Sequence, residues 1–191
     1  MTATTASLSR SPAHSRLRAR LVLATLSACG LAALAWTAFV HPLPRLVYNP
    51  SDSVAVGWYR VDPLDRGTDS LSVGSIVLIR LPAGAAALAA QRGYLPARVP
   101  LLKRVGAVAP QHVCVFDALV WIDGAPVAAV RSADRLGRSL PSWPQCRRLV
   151  SGELFLLSST NPASFDSRYF GPVSASAVIG VAYPVWLETR P

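Results

Sequence analysis

Leu101-Leu102-Lys103-Arg104-Val105 is the stretch on which the reading of this chain turns. Its composition predicts a β-strand, and the period of two puts Lys103 on the face of Leu101 and Val105 while Arg104 points the other way. An amine on an apolar face is desolvated, which penalises the ammonium form and lowers its pKa. The chain has nineteen basic side chains, and Lys103 is its single lysine. Arginine serves wherever a permanent charge is enough. A lone lysine therefore marks a position that has to lose its proton near neutral pH, and Lys103 is a candidate general base. The competing reading is a compositional bias toward arginine, with one lysine surviving on a surface strand.

Outward from that segment the pattern is mainly β. Strands are expected over 54–61, 73–80, 101–108, 112–116, 119–122, 153–158 and 177–185, with turns at Asp62-Pro63, Asp123-Gly124 and Asn161-Pro162. One helix is expected over about 84–92, an alanine-rich stretch of high helix propensity. Residues 132–148, rich in serine, proline and arginine, read as an exposed loop or flap. No internal repeat and no second globular domain are evident, so 41–191 reads as one domain.

Ahead of that domain, residues 21–40 carry no charge and are about long enough to cross a bilayer as a helix. Arg10, Arg16, Arg18 and Arg20 precede the span and only Arg45 closely follows it. The positive-inside rule then assigns 1–20 to a cytoplasmic tail, 21–40 to a single-pass anchor and 41–191 to the outside. A cleaved signal peptide competes, because Ala33-Leu34-Ala35 resembles a cleavage site. The anchor is preferred: the apolar run exceeds a usual signal core, and Trp36 and Phe39 continue it past that site. The final apolar segment, 178–187, contains Pro184 and is too short for a second span, so it reads as a terminal strand.

The formal net charge of +9 falls to +5 without the four arginines of the tail, and those remaining are mostly scattered. That excludes a nucleic-acid partner as the leading reading. Of the three cysteines, Cys29 lies in the span. Cys114 and Cys146 fall in the exterior domain, where an oxidising compartment permits a disulfide; two free thiols are the alternative. The spacing suits no metal site, since His112 is the only histidine near these cysteines.

A neutral lysine pairs naturally with a serine nucleophile. The turn Asn49-Pro50-Ser51-Asp52-Ser53 leads into Val54-Ala55-Val56-Gly57-Trp58-Tyr59. Pro-Ser-x-Ser, then Val73-Gly74-Ser75-Ile76-Val77, then Lys103-Arg104-Val105, then Asp166-Ser167-Arg168-Tyr169-Phe170-Gly171 resemble, in order, the sequence blocks of type I signal peptidases. Within that family the chain is similar to the TraF-type peptidases of conjugative transfer. The basis is Ser53-x-x-x-Gly57-x-Tyr59, Arg92-Gly93-Tyr94-Leu95-Pro96 and Phe165 through Val173.

The resemblance implies a signal-peptidase/LexA-like β-fold and a Ser-Lys endopeptidase in the bacterial inner membrane, its catalytic domain periplasmic, needing no cofactor. Its partners would be the lipid bilayer and a membrane-anchored precursor bearing a signal peptide or resembling a pilin. Ser53 would be the nucleophile and Lys103 its base. Ser51, with the backbone N–H of Ser53, would form the oxyanion hole, and Ser164 would orient the amine. Asp166 and Arg168 would form a structural or supporting ion pair, with Asp166 important for catalysis in the TraF-type enzymes; a salt bridge that only shapes the loop is the competing reading, and the preferred one for Arg168. Leu101 and Leu102 would wall the substrate pocket, or serve as plain core.

Two departures from the family pattern stand out. Ala55 replaces a common proline, and Ser158-Ser159-Thr160 replaces the Gly-Asp-Asn of general signal peptidases. Ser53 follows Val40 by 13 residues, a link of at most about 45 Å fully extended, which suits a substrate leaving the bilayer. A Ser-His-acid hydrolase has little support, since His112 sits in a strand pattern without a nucleophile motif nearby. A cytosolic self-cleaving repressor-type protease conflicts with the anchor. A non-enzymatic, membrane-anchored component of a transfer apparatus is the remaining alternative.

Overall fold

The computed structural model describes residues 12–39, 46–64, 71–158 and 160–189. Most of the tail expected over 1–20, the end of the expected span at Val40, and Ser159 lie outside them. The chain divides into two units, Met1–Pro42 and Leu43–Pro191. In the first, α1 (Pro12–Phe39) is an unbroken helix of 28 residues. Its stretch Arg16–Trp36 is long and apolar enough to cross a membrane. The helix begins ahead of the expected span because Arg and Leu, good helix formers, continue the pattern toward the N-terminus.

The second unit is mainly β. In chain order it contains β1 (Leu46–Asn49), β2 (Gly57–Pro63), β3 (Ile76–Ile79), α2 (Ala83–Gln91), β4 (Leu101–Val108), β5 (His112–Phe116), β6 (Leu119–Ile122), β7 (Ala125–Ala129), β8 (Cys146–Arg148), β9 (Glu153–Leu157), α3 (Ser167–Phe170), β10 (Val173–Ser174) and β11 (Val178–Leu187). A seven-stranded sheet runs β1-β2-β11-β3-β4-β9-β10, and a four-stranded one runs β7-β6-β5-β8. Neighbours pair antiparallel throughout.

Alternation accounts for β2, where Gly57, Tyr59 and Val61 face inward and Trp58 and Arg60 face outward. Val54, Tyr59, Val61, Leu78 and Leu102 form one core cluster, and Val77, Ile79, Val105, Leu154 and Leu156 another. A third joins Val113, Val115, Val120 and Ile122 to Phe155 of the larger sheet. Two glycines of the sequence blocks are required by close approach. A Cβ on Gly57 (φ +145°) would sit 2.1 Å from the Trp186 carbonyl oxygen, and one on Gly171 (φ +78°) would meet the Trp143 ring at 2.6 Å.

The expected strands at 101–108, 112–116 and 119–122 are observed at those residues. The expected strand over 54–61 instead begins at Gly57, because the carbonyls of Val54 and Ala55 accept from the Asn49 side chain. β7 follows the anticipated Asp123-Gly124 turn with both φ angles positive. Its Ala-Pro-Val-Ala-Ala composition hides it, and proline is tolerated there because β7 is an edge strand. The 132–148 loop ends in the short strand β8, which pairs with β5.

Candidate active site

Ser53 sits half-buried in the turn between β1 and β2, and the turn is folded by a single buried amide. Asn49 Nδ2 donates to the carbonyls of Ser51 at 2.7 Å, Val54 at 3.1 Å and Ala55 at 3.1 Å. Its Oδ1 accepts from the Ser51 N–H at 3.2 Å and the Ser51 hydroxyl at 2.9 Å. The Tyr59 hydroxyl donates to the Ala55 carbonyl at 2.6 Å and closes the other side. The Oγ atoms of Ser51 and Ser53 lie 2.7 Å apart. Since the Asn49 oxygen can only accept, it takes the Ser51 proton, and the Ser53 hydroxyl becomes the donor to Ser51.

Lys103 lies in β4, opposite Val77 of β3, with 3% of its surface exposed. Its Nζ donates to Ser164 Oγ, and among the described residues no hydrogen bond joins it to Ser53. Burial lowers its pKa from 10.5 to about 8; Asp166 opposes that shift and Arg168 adds to it. At that value a substantial fraction of the amine is neutral near pH 8, as a general base requires.

Asp166 and Arg168 lie behind the amine, with 0% and 1% of their surfaces exposed. They pair bidentately, Nε to Oδ1 at 2.7 Å and Nη2 to Oδ2 at 2.8 Å. Arg168 Nη1 reaches the carbonyls of Ala129 and Pro162, both at 2.8 Å, and Nη2 that of Ser164 at 3.0 Å. Every guanidinium N–H is thereby satisfied, and the loop carrying Ser164 is fixed to the end of β7. Asp166 also caps α3 through the Arg168 N–H.

One residue joins the two halves of the site. Ser158, just past β9, donates its backbone N–H to Asp166 Oδ2 at 2.9 Å and its hydroxyl to the Ser53 carbonyl at 2.9 Å. Thr160 Oγ1 donates to the Asp52 carbonyl. In the sequence, 158–160 stand out only as a departure from the family pattern. Hydroxyls in a Ser-Ser-Thr run beside a turn were the available signal, but their partners lie more than a hundred positions away. Asn49 carries no such signal, because asparagine before proline reads as ordinary turn chemistry.

The other candidate residues lie elsewhere. Leu102 packs with Val54 and Tyr59 in the core, and Leu101 is half-buried against the cluster of Val77 and Val105. Cys114 and Cys146 are register partners on β5 and β8 and form a disulfide. His112 stands beside them, its ring nitrogens 3.5 Å from Cys114 Sγ and 3.9 Å from Cys146 Sγ. Sulfurs bonded to each other have no thiolate to offer a metal.

Residues 18–187 match the family of signal peptidase, peptidase S26. The chain is 35% identical over 172 residues to a probable conjugal transfer protein TraF of Sinorhizobium fredii, covering 86% of each chain. It is 36% identical to a conjugal transfer protein TraF of Agrobacterium fabrum, over 72% of this chain and 80% of that one. A plasmid transfer protein TraF of Escherichia coli is 32% identical over the same shares. A crystal structure of a signal peptidase I from Enterococcus faecalis aligns with 59% of this chain and 97% of its own at 19% identity, with a TM-score of 0.36. The family match across nearly the whole chain, joined to these relatives, establishes that the protein belongs to the signal peptidase family, peptidase S26, alongside the TraF proteins of conjugal transfer.

Proposed function

We propose that this protein is a membrane-anchored serine endopeptidase of a conjugative transfer system. In this reading it removes signal or pro-segments from exported, pilin-like precursors with Ser53 as nucleophile and Lys103 as general base. The observation that carries it is Lys103: a buried amine with a pKa lowered to about 8, held by Ser164 behind a serine-bearing turn. In the first step Ser53 Oγ forms a bond to the scissile carbonyl carbon and its proton passes to Lys103 Nζ. The oxyanion is met by the Ser53 N–H and by the Ser51 hydroxyl once that hydroxyl leaves Asn49. The C–N bond then breaks as Nζ returns the proton to the leaving amine. Water attacks the acyl-enzyme, Lys103 takes its proton, and Ser53 recovers it as the new carboxyl end departs.

The setting is the periplasmic face of the inner membrane, with α1 as the anchor. Trp58 lies opposite Trp186 of β11 and Tyr48 of β1 in the sheet, so the three aromatics share one outward face. Trp58 and Trp186 are 43% and 72% exposed. Arg60 lies over the Tyr183 ring at 5.6 Å on the same face. Aromatic rings beside arginine suit the headgroup layer, and this face supports working against the bilayer.

The test is Ser53→Ala and Lys103→Arg in the full-length protein, with cleavage of a membrane-borne pilin-type precursor followed by mass spectrometry. Both variants are expected to fold and to lose cleavage, since alanine lacks the attacking oxygen and arginine cannot accept the proton. Substantial cleavage by a well-folded Lys103→Arg protein would overturn the dyad.

A further inference from the structure

A cavity of about 540 Å³ opens beside the nucleophile turn. One wall is Ser51 and Asp52, the two residues before Ser53; another is Ala163 and Phe165, on either side of the Ser164 that holds the lysine. The cavity thus adjoins both halves of the site. Its remaining lining includes three arginines and one carboxylate: Arg92 follows α2, and Asp134, Arg135 and Arg138 come from the 132–148 loop.

The three arginines are not equivalent. Arg138 is spoken for, since its Nε pairs with Asp134 Oδ2 at 2.7 Å. The Asp134 carboxylate is itself saturated by the Tyr94 hydroxyl and the N–H groups of Leu136 and Arg138. Arg92 Nη2 donates to the Ser139 carbonyl at 2.7 Å, but its Nη1 is buried, 3.9 Å from Asp134 Oδ2, and has no hydrogen-bond partner. A buried donor without an acceptor is costly, and a guanidinium fork is shaped for a carboxylate. Arg135 is exposed at the cavity and has no ion pair among the described residues. Three guanidiniums thus line the cavity against two carboxylates, those of Asp134 and Asp52, and Asp134 is already engaged by Arg138 and, at 3.9 Å, by Arg92. The Phe165 ring, packed on Tyr94 at 5.6 Å and Tyr169 at 5.7 Å, offers an apolar wall for an aliphatic stem.

We propose that this cavity is a specificity site for a substrate carboxylate, the side chain of an Asp or Glu within about three residues of the scissile bond, held by Arg92 and Arg135. It rests on the reading of Ser53 as the nucleophile. An extended peptide crossing Ser53 alternates its side chains, and one directed toward Ser51 and Asp52 enters the cavity stem first along Phe165. The net positive wall then selects Glu over its neutral isostere Gln, which lacks the charge the guanidiniums require.

The test uses end-blocked alanine-rich decapeptides with a neutral fluorophore, in which a single Glu or Gln is moved through every position. Binding is read by anisotropy on the full-length Ser53→Ala protein in micelles, and cleavage on the wild type. At one or two positions Glu is expected to surpass Gln by about tenfold in affinity and in kcat/KM. Arg135→Gln and Arg92→Gln should each bring the Glu/Gln ratio toward one, and Arg135→Glu should favour Lys at that position. Should Arg92→Gln fail to fold, the exposed Arg135 carries the test. Equal binding of Glu and Gln everywhere, no binding of any peptide, or discrimination that survives both arginine changes overturns the site. Glu preference in binding without cleavage would instead remove the nucleophile assignment and leave the site standing.

Discussion

Ser158 Oγ donates to the Ser53 carbonyl at 2.9 Å across 105 positions of sequence, while the Ser158 N–H donates to Asp166. The turn carrying Ser53 is therefore tied to the buried ion pair that positions Ser164, and through Ser164 to Lys103. In the proposed reaction the placement of Ser53 against Lys103 would depend on this bridge, which takes no part in the chemistry itself.

Ser158→Ala should expose that dependence. The lost hydroxyl contacts the Ser53 carbonyl and the Asn161 N–H, so stability is expected to fall by about 1 kcal/mol. We expect kcat to fall about tenfold, because small misplacement of a nucleophile is amplified in the rate. Stability unchanged together with full kcat would show that the bridge positions nothing.

The rate should rise with pH through about 8, as Lys103 loses its proton, and level off above. Stability should move with it. The folded pKa of about 8 lies below the ordinary 10.5, so the unfolded chain binds more protons between those values and stability rises with pH there. The corresponding penalty, roughly 3 kcal/mol, is fully present below pH 8 and gone above 10.5. Lys103→Met should thus be more favourable relative to wild type at pH 7 than at pH 10, as read by denaturant unfolding. A constant difference would contradict the lowered pKa.

Arg168 and Asp166 act on Lys103 with opposite signs. Arg168→Ala leaves a buried carboxylate unpaired, for an expected loss of about 3–5 kcal/mol. It also removes a cation that disfavours the ammonium, so the pH-rate limb should move to higher pH. Asp166→Asn removes the opposing anion and should move it to lower pH. Shifts of the same sign in both variants would mean that these groups reach Lys103 only through local unfolding.

Trp58→Ser and Trp186→Ser alter the outward aromatic face of β2 and β11. Processing of a precursor in lipid vesicles should drop several-fold, while cleavage of a short peptide in detergent should change little, since a membrane contact adds effective concentration rather than chemistry. Equal losses in both assays would assign the tryptophans to folding instead.

Much of the candidate site was legible without coordinates because its chemistry is local. Lys103 stands out as a lone amine in an apolar strand, and β4 lies where period-two alternation puts it. Ser51 and Ser53 share a turn, and Asp166 and Arg168 are two residues apart, so their pairing needs only one helical cap. The three-residue β8 and the edge strands β1 and β7 were not legible. Each is too short or too poor in β-formers to announce itself and exists because a neighbouring strand supplies hydrogen bonds.

The sequence by itself determined the apolar N-terminal helix, the mainly β domain and which amine and hydroxyl groups are candidates, because periodicity and residue chemistry are properties of neighbouring positions. Only the tertiary structure decided that Asn49 folds the turn carrying Ser53 and that Ser158 couples it to Asp166. It alone brought Arg92 and Arg135 to a cavity beside Ser51. Those relationships depend on which strands pair across the sheet, and a buried polar group takes its partner from whatever the fold brings within about 3 Å.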